Sequence, residues 1–451
     1  MAGNPLAALR PRARGIVLAA LVLFSTVLAA CGTGASGVGG RTFPLLVGST
    51  SDHPAQPPVI AANGPAGTYA FVYDNQIWLR RDGETQAKQL TRMTFSATAS
   101  IAWGPLVWSS DGRYIAFTVV ENTSPAGGSA TGNGFGPLYY LDLATDPATL
   151  ATSAGTGSVY GHSYTWFGDS ILLYSNGSGI QMYMVGSADP RAWQVLDLPA
   201  LQGNGTGQAG YAAFGDIQVS GADLYYTRED TRSLGVAGPV GNATLYRTQI
   251  GTPGDYAGLD ASALAGRLPL DSGDPVTTLG QVYSPTGGTI IAGAWQIADS
   301  QLALQRVLHV DVTAKTATSQ LCILAVPAAA QSDDGCDVPV LDGASIQPLT
   351  VRPQLAFGGG DMIAYNGERL YLSGGRVVAL ASGSGWLVPP VWTPDGQLVA
   401  TQVASTKVDG GGVTRITTNI ILISDDGHRT VLIAGAQNIA WRSAFCGSCP
   451  L

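Results

Sequence analysis

Three kinds of residue in this chain have types and spacing that could do chemistry. Gly161-His162-Ser163-Tyr164 has the start of a nucleophile elbow, which needs a Gly two residues after the serine in a strand-to-helix turn. Thr165 stands there and strand-like sequence surrounds it, so no catalytic serine is expected. Cys446-Gly447-Ser448-Cys449 has redox spacing, but a redox cysteine is activated at a helix N-terminus. Only Pro450 and Leu451 follow, and a structural disulfide is the expectation. Zinc would need two more ligands, and the sequence holds no second C-x-x-C and no paired histidines. His53, His162, His309 and His428 are scattered. Asp333-Asp334-Gly335 and Asp425-Asp426-Gly427 are acidic, but lack calcium-loop spacing and read as turns. No phosphate loop or dinucleotide fingerprint is present. The sequence therefore predicts no metal, no cofactor and no enzyme.

The elements around these residues are short strands. Trp108-Ser109-Ser110-Asp111-Gly112-Arg113-Tyr114-Ile115-Ala116-Phe117 is an aromatic, a polar turn ending in Gly, and an apolar strand. Trp392-Thr393-Pro394-Asp395-Gly396-Gln397-Leu398-Val399-Ala400 repeats it, and Tyr283-Ser284-Pro285-Thr286-Gly287 is a partial copy. Pro presets φ at the first central turn position and Gly takes the φ > 0 position that closes the turn. Further strand pairs stand at Tyr69–Tyr73 with Gln76–Arg80, near Trp166 and Gln181, at Asp223 and Thr244, after Tyr283, at Met362 and Arg369, and at Ile420 with Thr430. A hairpin recurring at long intervals marks a repeat fold. Seven such units can be counted, with six or eight as alternatives. Only Asp260 to Leu268 reads as a short turn of helix. The chain end, Asn438-Ile439-Ala440-Trp441, reads as a strand that pairs near Tyr69 and closes the ring, so that no sheet edge stays open.

The N-terminus reads as a targeting segment. Arg10, Arg12 and Arg14 precede an apolar run from Ile16 to Val27, too short for a comfortable span. Gly32 to about Pro65 is rich in Gly, Ser, Pro and Ala, a composition that cannot bury enough surface to order itself. Extended, it would reach on the order of 100 Å at ~3.3 Å per residue. Loss of residues 1–30 removes three arginines and no acid, taking the net charge from −8 to −11. An acidic domain argues against nucleic acid as a partner. Sixty Gly, 45% hydrophobic and 12% charged residues suit a turn-rich β protein and not a disordered chain.

Two resemblances follow from these residues. Leu28-Ala29-Ala30-Cys31 resembles the lipobox of bacterial lipoproteins, which implies diacylation of Cys31 and membrane attachment there. The Trp108 and Trp392 repeats resemble the propeller repeat of the periplasmic translocation protein TolB and its relatives. That resemblance implies an all-β single propeller over 66–445, after a signal peptide (1–30) and a tether (31–65), with a tail at 446–451. Its repeat residues here are Trp108, Asp111, Gly112, Tyr283, Pro285, Gly287, Trp392, Pro394, Asp395 and Gly396.

Propellers bind, catalyse and scaffold alike. The expectation is a monomeric, non-catalytic binding or assembly module of the cell envelope, facing the periplasm or exterior. Its partner would be an envelope protein or a glycan, met by rim loops such as Asn122–Gly136 and Thr231–Gly241. The alternatives are a hydrolase or lyase at the channel mouth, and a purely structural envelope protein. TolB-like propellers also accompany serine peptidases, but the chain ends after the last unit. An even cysteine count in an exported chain reads as disulfides. The expected pairs are Cys322 with Cys336, across a hairpin, and Cys446 with Cys449. Crossed pairing is the rival.

Overall fold

The structure, a computed structural model, describes residues 56–62, 64–93, 99–101, 105–121, 137–145, 149–152, 164–176, 179–187, 191–197, 211–231, 238–284, 293–298, 300–311, 316–326, 339–346, 355–359, 362–365, 369–372, 376–379, 390–408 and 414–442. All of them lie in the unit Gly40–Leu451. Among them, no helix is long and apolar enough to cross a membrane.

The first hairpin joins β1 (Tyr69–Tyr73) to β2 (Gln76–Arg80), with Tyr73 opposite Gln76. The two loop residues, Asp74 and Asn75, have φ of 49° and 57°. A two-residue loop that matches strand twist needs φ > 0 at both positions, which Asp and Asn tolerate. β3 (Lys88–Gln89) completes the run.

The second sheet holds β4 (Ala99–Ile101), β5 (Val107–Trp108), β6 (Tyr114–Glu121), β7 (Leu138–Asp142) and β8 (Thr149–Thr152). The third holds β9 (Tyr164–Phe167), β10 (Ile171–Asn176), β11 (Gly179–Met184) and β12 (Trp193–Asp197). The fourth holds β13 (Tyr211–Ser220), β14 (Asp223–Thr231), β15 (Gly238–Gln249) and β16 (Asp274–Ser284). Next come β17 (Ala294–Ala298), β18 (Gln301–Asp311), β19 (Thr316–Ala325) and β20 (Pro339–Ile346). β21 (Leu355–Phe357), β22 (Ile363–Tyr365), β23 (Arg369–Leu372) and β24 (Arg376–Ala379) follow. The last complete set is β25 (Val391–Trp392), β26 (Leu398–Val408), β27 (Thr414–Ile423) and β28 (Arg429–Ala434). β29 (Ala436–Trp441) then joins the first sheet, in the order β29-β1-β2-β3, with Trp441 opposite Tyr69. The described strands thus form six four-stranded sheets and one five-stranded sheet. The expected closure by the chain end is present.

The arrangement is an all-β propeller. The first strand of each sheet touches the first strand of the next, through β29, β5, β9, β13, β17, β21, β25 and back to β29. The apolar core follows the same ring. One cluster joins Ile77 and Leu79 of the first sheet to Ile115 and Phe117 of the second. Another joins Ala116 and Tyr140 to Trp166 and Leu172, and a third closes Phe71 and Trp78 onto Ile420 and Leu432. Sheets covered on both faces need apolar residues in unbroken runs and not in alternation. Ile171–Tyr174 is such a run, buried throughout.

The β15–β16 connection carries α1 (Ala261–Arg267), the helical turn read from the sequence. The Asp260 carboxylate caps it, accepting from the Ala263 amide at 2.8 Å, an N-cap interaction typically worth ~1 kcal/mol. Leu264 is buried, and the Leu270 amide bonds the Val195 carbonyl on β12 at 2.8 Å. The insert of the fourth sheet therefore covers part of the outer edge of the third.

Four expectations need correction. Tyr283 does not open the fifth unit: it lies in β16, opposite Pro239. The eleven-residue β16 is the outermost strand of the fourth sheet, so the turn-like sequence after Tyr283 follows an outer strand. The aromatic on the next first strand is Trp295, in β17. Ser319-Gln320-Leu321 reads as a strand that Cys322 follows, but Cys322 sits inside β19, opposite Pro339. Thr231 and Gly238–Gly241 are strand, because the β14–β15 ladder runs out to Thr231 opposite Gly241. Within the stretch read as tether, Ile60 bridges Ile433 and the Ala61 amide bonds the Leu432 carbonyl at 3.0 Å.

Candidate functional site

The repeated turn is held by its own polar side chains. In Ser109-Ser110-Asp111-Gly112, the Ser109 hydroxyl donates to Asp111 Oδ1 at 2.6 Å and accepts from the Tyr114 amide at 2.8 Å. Asp111 Oδ1 also accepts from the Arg113 amide at 2.9 Å. Thr393 and Asp395 repeat the hydroxyl–carboxylate bond at 2.5 Å. A third copy is Ser424-Asp425-Asp426-Gly427, where the Ser424 hydroxyl donates to Asp426 Oδ1 at 2.6 Å and the His428 amide donates to the same oxygen at 2.9 Å. Those two bonds, the Ser424 hydroxyl first, hold the Asp426 carboxyl below the usual carboxylate range. This acidic turn therefore uses its carboxylate locally, as the turn reading expects.

In a four-stranded meander, the first–second and third–fourth connections share one rim, and the second–third connection lies on the other. On the first of these rims, between the first and second sheets, a groove of about 490 Å³ opens. Trp108, Leu79 and Leu143 give its apolar walls, and Arg81, Asp111 and Arg442 are among its polar groups.

Each acid that lines the groove holds local structure through one carboxylate oxygen. Asp82 Oδ1 accepts from the Gly67 amide at 2.9 Å, and Asp111 holds its turn. Asp142, just behind, accepts both forks of Arg113, at 2.9 and 2.7 Å. The Arg113 bond is the main reason the Asp142 carboxyl lies below the usual range, and the Ala144 amide adds to it.

Of the three cations that line the groove, Arg113 is held by Asp142, and Arg81 and Arg442 are committed less. Arg442 reaches across the sheet junction to donate to the Asp111 carbonyl at 2.7 Å, passing over Gly112, where an added Cβ would stand 1.9 Å from Arg442 Nε. Among the described residues, no carboxylate pairs with the Arg81 or Arg442 guanidinium.

Indoles tie the sheets together beside this rim. Trp108 Nε1 donates to the Ala440 carbonyl at 3.1 Å, Trp166 Nε1 to Val107 at 2.9 Å, and Trp392 Nε1 to Ala356 at 3.2 Å. The aromatic of the repeat thus bonds the first strand of the preceding sheet.

The structure brings Trp108, Asp111 and Gly112 to the groove and sets Trp392, Pro394, Asp395 and Gly396 at the β25–β26 turn. Cys31, Cys336, Cys446, Cys449, Pro285, Gly287, His162, Ser163 and the loop Asn122–Gly136 lie outside the described residues. The described ends of β6 and β7 and of β14 and β15, between which the expected binding loops stand in the sequence, are second–third strand ends, at the rim opposite the groove. Sequence reasoning missed Arg81, Asp82 and Arg442. Arg81 and Asp82 flank a hairpin turn, and Arg442 follows the closing strand; only ring closure makes them neighbours.

Fold and groove together define an all-β propeller with a mixed-charge cleft at a sheet junction. No protein-family model and no curated protein matches the chain. Solved structures similar to it include a periplasmic gluconolactonase of Pseudomonas aeruginosa, at 11% identity and a TM-score of 0.41, covering 83% of this chain and 98% of that one. The propeller domain of the trilobed protease of Pyrococcus furiosus matches at 10% identity and 0.37, covering 82% and 96%. A puromycin-hydrolyzing peptidase of Mycobacterium tuberculosis matches at 12% and 0.40, covering 75% of this chain and 54% of the peptidase, so the chain spans about half of that protein. Likenesses at these scores bear on neither activity nor ligand.

Proposed function

We propose that this chain is an exported lipoprotein, anchored through Cys31 and a tether of residues 31–65, whose propeller is a non-catalytic binding module of the cell envelope. The observation that carries this reading is the state of the groove. Its carboxylates already accept the bonds that hold the turns, while guanidinium donors and an apolar wall stay available. A general acid or base needs a carboxyl free to exchange a proton with substrate; a binding cleft needs a few fixed polar groups on an apolar wall. Seven blades of the TolB type are part of the reading, supported by the ring of first strands and by the twice-repeated Trp-[Ser/Thr]-x-Asp-Gly turn. So is a Cys322–Cys336 disulfide, whose motive is the even cysteine count of an exported chain and the pairing of Cys322 with Pro339, close in sequence to Cys336.

Turnover assays on the purified full chain with lactone, ester, peptide and glycoside substrates test the non-catalytic reading. The expected result is no turnover above a heat-killed control. Turnover that disappears in Asp111→Asn would overturn it. Membrane release of Cys31→Ala, against retention of the wild type, tests the anchor.

A further inference from the structure

We propose that the groove between the first and second sheets binds the carboxylate of a small organic acid, with Arg81 and Arg442 as its donors. The inference rests on the groove being a binding site. Guanidinium groups are planar forks that match a carboxylate with two parallel bonds. Arg442 Nη2 is fixed by the Asp111 carbonyl at 2.7 Å, and Arg81, exposed, lines the same groove. A positioned donor loses less side-chain entropy when a ligand arrives.

The neighbouring acids limit the charge of that ligand. Asp82 and Asp111 line the groove beside the two cations, Arg113 of the same lining is neutralised by Asp142, and the whole chain carries a net charge of −8. A dianion such as phosphate meets about twice the repulsion of a monoanion in that field. Leu79, Leu143 and Trp108 line the same cleft and suit an organic body over an inorganic ion. A volume of about 490 Å³ lies in the range of ~300–1,000 Å³ usual for small-molecule sites. A sugar acid and a peptide C-terminus offer the same group, and the two are separated by probe choice.

Isothermal titration of the full chain in detergent tests the proposal with D-glucuronate, N-acetylalanine, D-glucose and inorganic phosphate. The expected result is saturable binding of at least one carboxylate, absent for glucose and weaker for phosphate. Glucuronate binding identifies a sugar acid; N-acetylalanine binding identifies a peptide end. Arg81→Gln should weaken that binding roughly tenfold or more, as removal of a charged hydrogen bond does. Arg442→Lys, which keeps the charge and loses the fork, should weaken it less. No saturable binding of either carboxylate, equal binding in Arg81→Gln, or tighter binding of phosphate would overturn the proposal. Turnover of some substrate would defeat the non-catalytic reading and leave this binding intact, so the two failures are distinguishable.

Discussion

The indole Nε1 of Trp108 donates to the carbonyl oxygen of Ala440 at 3.1 Å, across 332 positions of sequence. One bond thus joins the second sheet to the strand that closes the ring. Trp108→Phe keeps most of the ring's burial and leaves that carbonyl without its donor. An unsatisfied buried acceptor costs roughly 1–3 kcal/mol. A lowered urea midpoint with an unchanged slope should report a loss of this size. An unaltered midpoint would show that water replaces the indole without cost.

Closure itself can be removed. A chain ending at Gln437 lacks Asn438–Trp441, including the Trp441 opposite Tyr69. An open first sheet exposes a strand edge and half of an inter-sheet core. The truncated chain should lose its cooperative thermal transition; an unchanged melting temperature would mean that the closing strand is dispensable.

Much of this architecture was legible in the sequence, for a physical reason. Trp-Ser-Ser-Asp-Gly and Trp-Thr-Pro-Asp-Gly write their turn chemistry locally: the hydroxyl, the carboxylate and the glycine bond one another within five residues. Asp260 ahead of Ala261–Arg267 is another local signal, and the short helix is there. Signals that depend on partners far away failed. Tyr283 has the look of a blade opening, yet β15 holds it in an outer strand. Ser424-Asp425-Asp426-Gly427 carries the same turn without an aromatic before it, and so read only as an acidic turn. Arg81 and Arg442 are surface arginines in any linear reading, and ring closure alone sets them on one groove.

Gly112 and Gly396 occupy the same turn position with φ of +68° and +79°, but differ in what faces them. A Cβ at Gly396 meets nothing within 4 Å, whereas one at Gly112 meets Arg442 Nε at 1.9 Å. Both alanine substitutions should cost about 1–2 kcal/mol for left-handed backbone. Gly112→Ala should cost more, and Arg442→Ala placed in that background should recover the excess. Equal costs in chemical denaturation would show that the Arg442 contact is slack.

Acid should act through Asp142. Its folded-state pKa is lowered, chiefly by the bond from Arg113. The stability this provides is complete above the ordinary unfolded value of ~3.9 and is lost as pH falls through the lower folded value. Asp142→Asn lacks the effect at every pH. The gap in urea midpoint between wild type and Asp142→Asn should therefore be widest near neutral pH and shrink from about pH 5 downward. A gap that stays constant down to pH 2 would contradict the pairing.

The central claim is that ligand is met at the groove rim and not at the rim of the second–third connections. Hydrogen–deuterium exchange on the full chain, with and without saturating D-glucuronate or N-acetylalanine, measures this most directly. The account predicts slowed exchange in peptides covering Leu79–Glu84, Trp108–Tyr114 and Trp441–Arg442, with no change around Asp74–Asn75 or the β14–β15 connection. Protection confined to those opposite-rim peptides, or to none, would contradict it.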